Sequence, residues 1–233
     1  GEAVLGFYNY TTWLTYLGAL CGVSGIWSVL EGHEALAVLF LAAEGFFDLF
    51  DGKVASTKKD RTEQMKKFGI QIDSLSDLIC FCVLPATLLY QLAKATFPDV
   101  DRLWFCPLAV FYVLAGLIRL AYFNVSEEDR QKKEAGVRRT YTGIPVTTVS
   151  IAVPLFFGLY RILLLLFAPD SGVRNWELGY FAFYCFELLF FGFGFLFKGF
   201  KVAKVHGKKM LVPLIIGAVA VLGVLVAFFL NLK

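Results

Sequence analysis

Residues 44–85 read EGFFDLFDGKVASTKKDRTEQMKKFGIQIDSLSDLICFCVLP, and they set four aspartates, Asp48, Asp51, Asp73 and Asp77, at the ends of two strongly apolar segments. Carboxylates at such positions are costly unless something positive sits among them. The apolar context extends over the whole chain. Of 233 residues, 58% are hydrophobic and 17% aromatic, which argues against a water-soluble globule and for an all-α integral membrane protein. A helix needs about 20 apolar residues to cross a hydrocarbon core roughly 30 Å thick. Seven runs have that length: Tyr10–Leu30, Ala35–Val54, Ile72–Ala93, Leu103–Val125, Gly143–Phe167, Trp176–Phe197 and Met210–Leu230. They predict a single transmembrane domain over residues 1–233.

Two charges inside these runs, Arg119 in the fourth and Glu187 in the sixth, must face protein or water. Gly18, Gly22 and Gly25 share one face of the first run and predict close helix packing. Pro85 and Pro154 fall inside runs, where each removes one backbone hydrogen bond. Cys21, Cys80, Cys82, Cys106 and Cys185 show no metal-ligand spacing and read as reduced packing residues. His33 and His206 have no partner at ligand spacing and read as solvated. No basic region precedes the first run and no small-residue cleavage site follows it, so a cleaved signal peptide is not expected.

Basic residues are distributed unevenly. The expected loops 55–69 (Lys58, Lys59, Arg61, Lys66, Lys67) and 126–142 (Arg130, Lys132, Lys133, Arg138, Arg139), and the segment after the sixth run (Lys198, Lys201, Lys204, Lys208, Lys209), carry them, whereas the opposite connections hold Arg102 and Arg174. The positive-inside rule makes the first group cytoplasmic. The N-terminus and the four aspartates are then on the cytoplasmic side of the cell membrane and the C-terminus is extracytoplasmic. A net charge of +3 conceals this asymmetry. The basic loops fit topology or attraction to anionic headgroups, and nucleic acid is not an expected partner.

Asp48, Asp51, Gly52 and Ala55 lie at helical offsets of zero, three, four and seven, and Gly69, Asp73 and Asp77 follow at steps of four. Each set forms one stripe. If the two helices are antiparallel neighbours, four carboxylates converge and repel one another strongly in a partly dehydrated site. A divalent cation relieves that repulsion. All-oxygen ligation without His or Cys selects a hard ion, Mg²⁺ or Mn²⁺. Such an ion at headgroup depth suits a diphosphate substrate, and the small residues Gly52, Ala55 and Gly69 fit either ligand approach or helix packing.

The pattern Asp48-x-x-Asp51-Gly52-x-x-Ala55, followed by Gly69-x-x-x-Asp73-x-x-x-Asp77, resembles the signature of the CDP-alcohol phosphotransferases. The stretch from Phe68 to Asp77 with Phe81 and Pro85-Ala86, the run Arg119-Leu120-Ala121-Tyr122-Phe123-Asn124, and Tyr141-Thr142-Gly143-Ile144-Pro145 are similar to the phosphatidylserine synthase branch. The resemblance covers roughly the first six runs. It departs at Ser56, where the family has arginine, at a spacer about four residues longer than usual, and at Cys82, where a glycine is common.

The resemblance implies a six-helix bundle with a core over residues 10–200 and one further helix over residues 210–230. It also implies transfer of a phosphatidyl group from CDP-diacylglycerol to an alcohol, with release of CMP, by a homodimeric, multi-pass membrane enzyme. Asp48, Asp51, Asp73 and Asp77 would hold the metal, with Asp77 also the base. Gly52, Ala55, Gly69 and Asp48 would line the nucleotide and diphosphate pocket. Arg119, Asn124, Thr142, Arg138 and Arg139 are candidates for the acceptor pocket, with serine favoured over inositol phosphate or glycerol phosphate. Arg119 suits either a ligand anion or a structural ion pair, and Lys58 or Lys59 could replace the missing arginine. An intramembrane prenyltransferase and a divalent-cation transporter are the alternatives from other classes.

Overall fold

The structure, a computed structural model, describes residues 6–133, 140–167, 172–199, 201–203 and 211–229. Among them are seven long helices: α1 (Tyr10–Leu30), α2 (Glu34–Thr57), α3 (Glu63–Thr96), α4 (Cys106–Lys133), α5 (Val149–Phe167), α6 (Val173–Leu196) and α7 (Leu211–Phe229). Five of them, α1, α3, α4, α5 and α6, are long and apolar enough to cross a membrane. α2 has the length, but Glu34, Glu44, Asp48, Asp51 and Lys53 interrupt its apolar character. The seventh expected run corresponds to α7, whose apolar stretch Val212–Val226 is shorter.

Local signals explain where the helices begin and turn. Asn9 caps α1 by accepting a hydrogen bond from the Thr11 amide at 3.0 Å, which satisfies one of the orphan donors of the first turn. The turn into α2 passes through Gly32 at φ +80°, a left-handed conformation that costs glycine little. α2 and α3 are joined by residues 58–62, and the Thr62 hydroxyl accepts from the Met65 amide at 3.2 Å to open α3. That cap corrects the expected loop 55–69. Most of it is helix, so Lys66 and Lys67 lie on α3 and the third run begins at Glu63 rather than Ile72. The fifth run also starts later than expected. Gly143 adopts φ +81° and Pro145 precedes a 3-10 turn, so residues 143–145 form a turn ahead of α5.

α3 is one continuous rod with a π-helical segment, Leu78–Val83, immediately after Asp77. Pro85 cannot return a hydrogen bond to the carbonyl four residues back, that of Phe81. The Tyr112 hydroxyl on α4 donates to that oxygen at 2.7 Å, and Tyr184 on α6 donates to the Pro85 carbonyl at 2.9 Å. The break thus becomes a point of attachment for two neighbouring helices. Pro154 lies inside α5 without ending it.

α1, α2 and α3 pack together, α4 lies on α3 and α6, and α5 bridges α2 and α7. The core runs through Val29, Leu41, Phe81, Leu88, Tyr112, Val153, Phe157, Tyr184 and Leu188, each essentially removed from solvent. The glycine face of α1 is filled as expected: Gly18 receives the Glu44 carboxyl, Gly22 receives Cys80, and Gly25 receives Leu84 and Phe40. Likewise, α5 and α7 cross where a Cβ on Gly158 would come within 3.1 Å of the Gly223 backbone. α7 is therefore closely packed on the bundle.

Arg119 and Glu187 both face the protein interior, as does Arg161 of α5, which the sequence reading passed over. Among the cysteines, Cys80 and Cys82 are buried, but Cys106 is exposed and is not a packing residue. His33 is exposed, and His206 lies outside the described residues. A short antiparallel pairing of Thr140–Thr142 with Lys201–Ala203, unforeseen in the sequence, brings the chain before α5 beside the chain after α6.

Candidate active site

α2 and α3 run antiparallel from the turn at 58–62, so their aspartate rows meet near that end of the bundle. One carboxylate oxygen each from Asp48, Asp73 and Asp77 lies within 4.8 Å of the other two. The Asp51 carboxyl sits beside that of Asp73 and beside the Thr15 hydroxyl of α1. All four predicted aspartates therefore converge. Asp77 is the most enclosed of them, 7% exposed, and its Oδ1 atom has no hydrogen-bond partner.

Carboxylates held this close in a dehydrated setting repel one another unless protons or cations intervene. The donor set is all oxygen, and the nearby Cys80 Sγ is engaged with the Gly18 carbonyl at 3.4 Å. A hard divalent ion fits such a set, and the unpartnered Asp77 oxygen offers it an uncommitted ligand atom.

The glycines separate into two kinds. Gly18, Gly22 and Gly25 have no room for a Cβ, but one added at Gly52 or Gly69 would meet nothing within 4 Å. These two flank the aspartates and face open space, so helix packing does not account for their size. Ala55, one turn beyond Asp51, is half-buried.

The sequence reading missed the groups behind the aspartates. Glu44, 3% exposed, accepts a hydrogen bond from Ser76 Oγ at 3.2 Å, and that hydroxyl also lies 3.4 Å from the Thr15 carbonyl of α1. Ser74 Oγ accepts from Asn124 Nδ2 at 2.7 Å. Each serine of Asp73-Ser-Leu-Ser-Asp77 is thus tied to a different neighbouring helix. The available signal was spacing, because Glu44 precedes Asp48 by one helical turn on the same stripe.

Of the acceptor candidates, Arg119 and Asn124 have described side chains, and each makes a contact within the protein. Arg119, 5% exposed, donates from Nε to the Ile144 carbonyl at 3.2 Å and lies over the Phe123 ring at 5.7 Å. It braces the Gly143–Pro145 turn, which also docks on α6 through Ile144 N to Gly194 O at 3.1 Å. Asn124 is engaged with Ser74 as described. Arg138, Arg139 and the side chain of Thr142 lie outside the described residues. At the departure from the family pattern, Ser56 Oγ donates to the Lys53 carbonyl at 2.6 Å. Of the suggested replacements, Lys58 pairs with Asp60 at 3.5 Å and Lys59 is exposed.

Comparison with known proteins shows the family. The profile of the CDP-alcohol phosphatidyltransferase family matches residues 8–185. The CDP-diacylglycerol–serine O-phosphatidyltransferase of Bacillus subtilis is 30% identical over 158 residues, covering 67% of this chain and 80% of that protein. The Saccharomyces cerevisiae protein of the same name is 30% identical over 203 residues, covering 81% and 69%. The archaetidylserine synthase of Methanothermobacter thermautotrophicus is 31% identical over 161 residues, covering 68% and 63%. The matched segment starts just before α1 and ends inside α6, enclosing both aspartate rows, and the chain accordingly belongs to the CDP-alcohol phosphatidyltransferase family.

Proposed function

We propose that the protein transfers the phosphatidyl group of CDP-diacylglycerol to L-serine, forming phosphatidylserine and CMP in phospholipid biosynthesis. The observation that carries this reading is the convergence of Asp48, Asp73 and Asp77 between two glycines whose faces are open, in a chain whose relatives bear serine phosphatidyltransferase names.

Asp48, Asp51, Asp73 and Asp77 would hold Mg²⁺ or Mn²⁺, which when bound neutralises diphosphate charge and is worth several kcal/mol in such transfers. The open backbone at Gly52 and Gly69, with Ala55 beyond, lets the cytidine diphosphate approach both helices. The serine hydroxyl oxygen forms a bond to the phosphorus that carries diacylglycerol. The bond from that phosphorus to the bridging oxygen breaks, and CMP leaves with the electron pair. Asp77 takes the hydroxyl proton, a role that contributes about 10²- to 10⁴-fold for a positioned base. Arg119 supports the acceptor side by bracing the Ile144 turn, and Asn124 does so through Ser74. Thr142, Arg138 and Arg139 are nearby in sequence.

This reading includes a multi-pass protein of the cell membrane, acting as a homodimer. The N-terminus and aspartates are cytoplasmic and the C-terminus is extracytoplasmic, as the basic residues favour. The test is a radiolabelled-acceptor screen with CDP-diacylglycerol and Mn²⁺ or Mg²⁺. Label from serine should enter lipid with stoichiometric CMP, whereas incorporation of inositol phosphate or glycerol phosphate in its place would reassign the acceptor.

A further inference from the structure

The group that the proposed chemistry leaves unused is the most conspicuous buried acid beside it. Glu44 lies 3% exposed on α2, with Oε1 bonded to Ser76 and Oε2 without a partner. Its carboxyl occupies the space that Gly18 leaves on α1, where any Cβ would collide with it. Ser76 in turn lies within reach of the Thr15 carbonyl of α1 and of Cys80, one turn along α3. Three helices therefore meet at one hydroxyl. That hydroxyl immediately precedes Asp77, and its carboxyl partner lies one turn before Asp48.

Helices in a bilayer gain little from apolar contact with one another, because lipid is as apolar as leucine, so small residues and interhelical hydrogen bonds fix how they slide and rotate. A shift of α3 by a fraction of a turn would carry Asp73 and Asp77 away from Asp48. Beside the aspartates, Glu44 joins α2 to α3 through its hydrogen bond from Ser76, with the Cys80 thiol of α3 also against its carboxyl. On the other side of α3, Ser74 is held by Asn124 of α4.

We propose that Glu44 and Ser76 are a positioning pair that sets the register of α3 against α2, and hence the spacing of the carboxylates, with Glu44 acting as a hydrogen-bond acceptor rather than as a ligand. The proposal rests on the metal reading above only for its effect on ion binding; the register itself is measurable without metal. Glu44→Gln keeps an acceptor for Ser76, whereas Glu44→Ala and Ser76→Ala remove the bond from either side.

The test uses the full chain in nanodiscs, with Cys21, Cys106 and Cys185 replaced by serine and spin labels on cysteines introduced at the exposed positions Phe46 and Ile70. The label-to-label distance is measured without metal, and Mn²⁺ affinity is measured on the unlabelled variants without lipid substrate. Wild type and E44Q should share one narrow distance distribution and one Mn²⁺ affinity. E44A and S76A should broaden the distribution and weaken Mn²⁺ binding by about 10- to 100-fold, the usual effect of removing an outer-shell partner, and the double variant should be no worse than the weaker single one. Overturning results are an E44Q variant as impaired as E44A, which makes the charge itself the active feature, or E44A and S76A distances matching wild type. Distances that follow the expected pattern in a protein that binds no Mn²⁺ support the positioning pair and overturn the metal reading instead.

Discussion

Replacing Gly52 by alanine separates a ligand-facing glycine from a packing one. A Cβ at this position meets nothing within 4 Å and the residue is exposed on α2, between Asp51 and Ala55. In the empty protein the change is a Gly→Ala substitution within a helix, worth roughly 0.5–1 kcal/mol of stability. At about 2–4 °C per kcal/mol for a chain of this size, the melting temperature should rise by about 1–4 °C. If the diphosphate approaches this face, the same methyl group intrudes on it at an overpacking cost of about 1–3 kcal/mol, or roughly 5- to 150-fold in KM for CDP-diacylglycerol. Gly179 on α6 is the control, because a Cβ there also meets nothing. It lies in the first turns of α6, near the start of α2, so it is separated from Gly52 by most of that helix, about 27 Å at 1.5 Å per residue. Gly179→Ala should give the stability gain with KM unchanged. The assay is thermal unfolding alongside CMP release in mixed micelles. An unchanged KM in Gly52→Ala would refute the assignment of that open face to the nucleotide.

Three further outcomes follow from the same contacts. Tyr112→Phe removes the hydroxyl that donates to the Phe81 carbonyl; losing a hydrogen bond costs about 0.5–1.5 kcal/mol, so thermal unfolding should drop by roughly 1–6 °C, and an unchanged midpoint would rule out this repair. Gly143→Ala forces an L-residue to φ +81° at about 1–2 kcal/mol, with its Cβ 3.4 Å from Arg119 Nε, and should lower the melting temperature where Gly179→Ala raises it. Mn²⁺ at about 100 times its Kd should stabilise the protein by about 2.7 kcal/mol; EDTA should reverse the gain and Asp48→Asn or Asp73→Asn should abolish it, whereas an equal gain in those variants would locate the ion elsewhere.

The helices and the aspartate rows were legible because both depend on periodicity within one segment. Asp48 and Asp51, like Asp73 and Asp77, declare a shared face by spacing alone, and the glycine face of α1 does the same. What a single segment does not encode is the partner across an interface. Whether a small residue is filled or open depends on the opposing helix, which is why Gly18 and Gly52 look alike in sequence and differ in space. Arg119 could be identified as a buried cation, but its acceptor is the carbonyl of Ile144, 25 residues away, and backbone acceptors leave no trace in residue type. Glu44 bounded the decisive stretch and still went unassigned, since its role depends on Ser76 and on the space beside Gly18. The loop 55–69 was misread because basic residues look the same on a loop and on a capped amphipathic helix. The strand pairing of 140–142 with 201–203 joins segments too short to show alternation.

The central claim, that the two aspartate rows form one phosphatidyl-transfer site with Asp77 as its base, is tested most directly by CMP release from CDP-diacylglycerol and serine in Asp77→Asn, measured beside cytidine-nucleotide affinity in the same preparation. The account predicts that turnover is abolished while nucleotide affinity is largely retained. Wild-type CMP release from Asp77→Asn would contradict it.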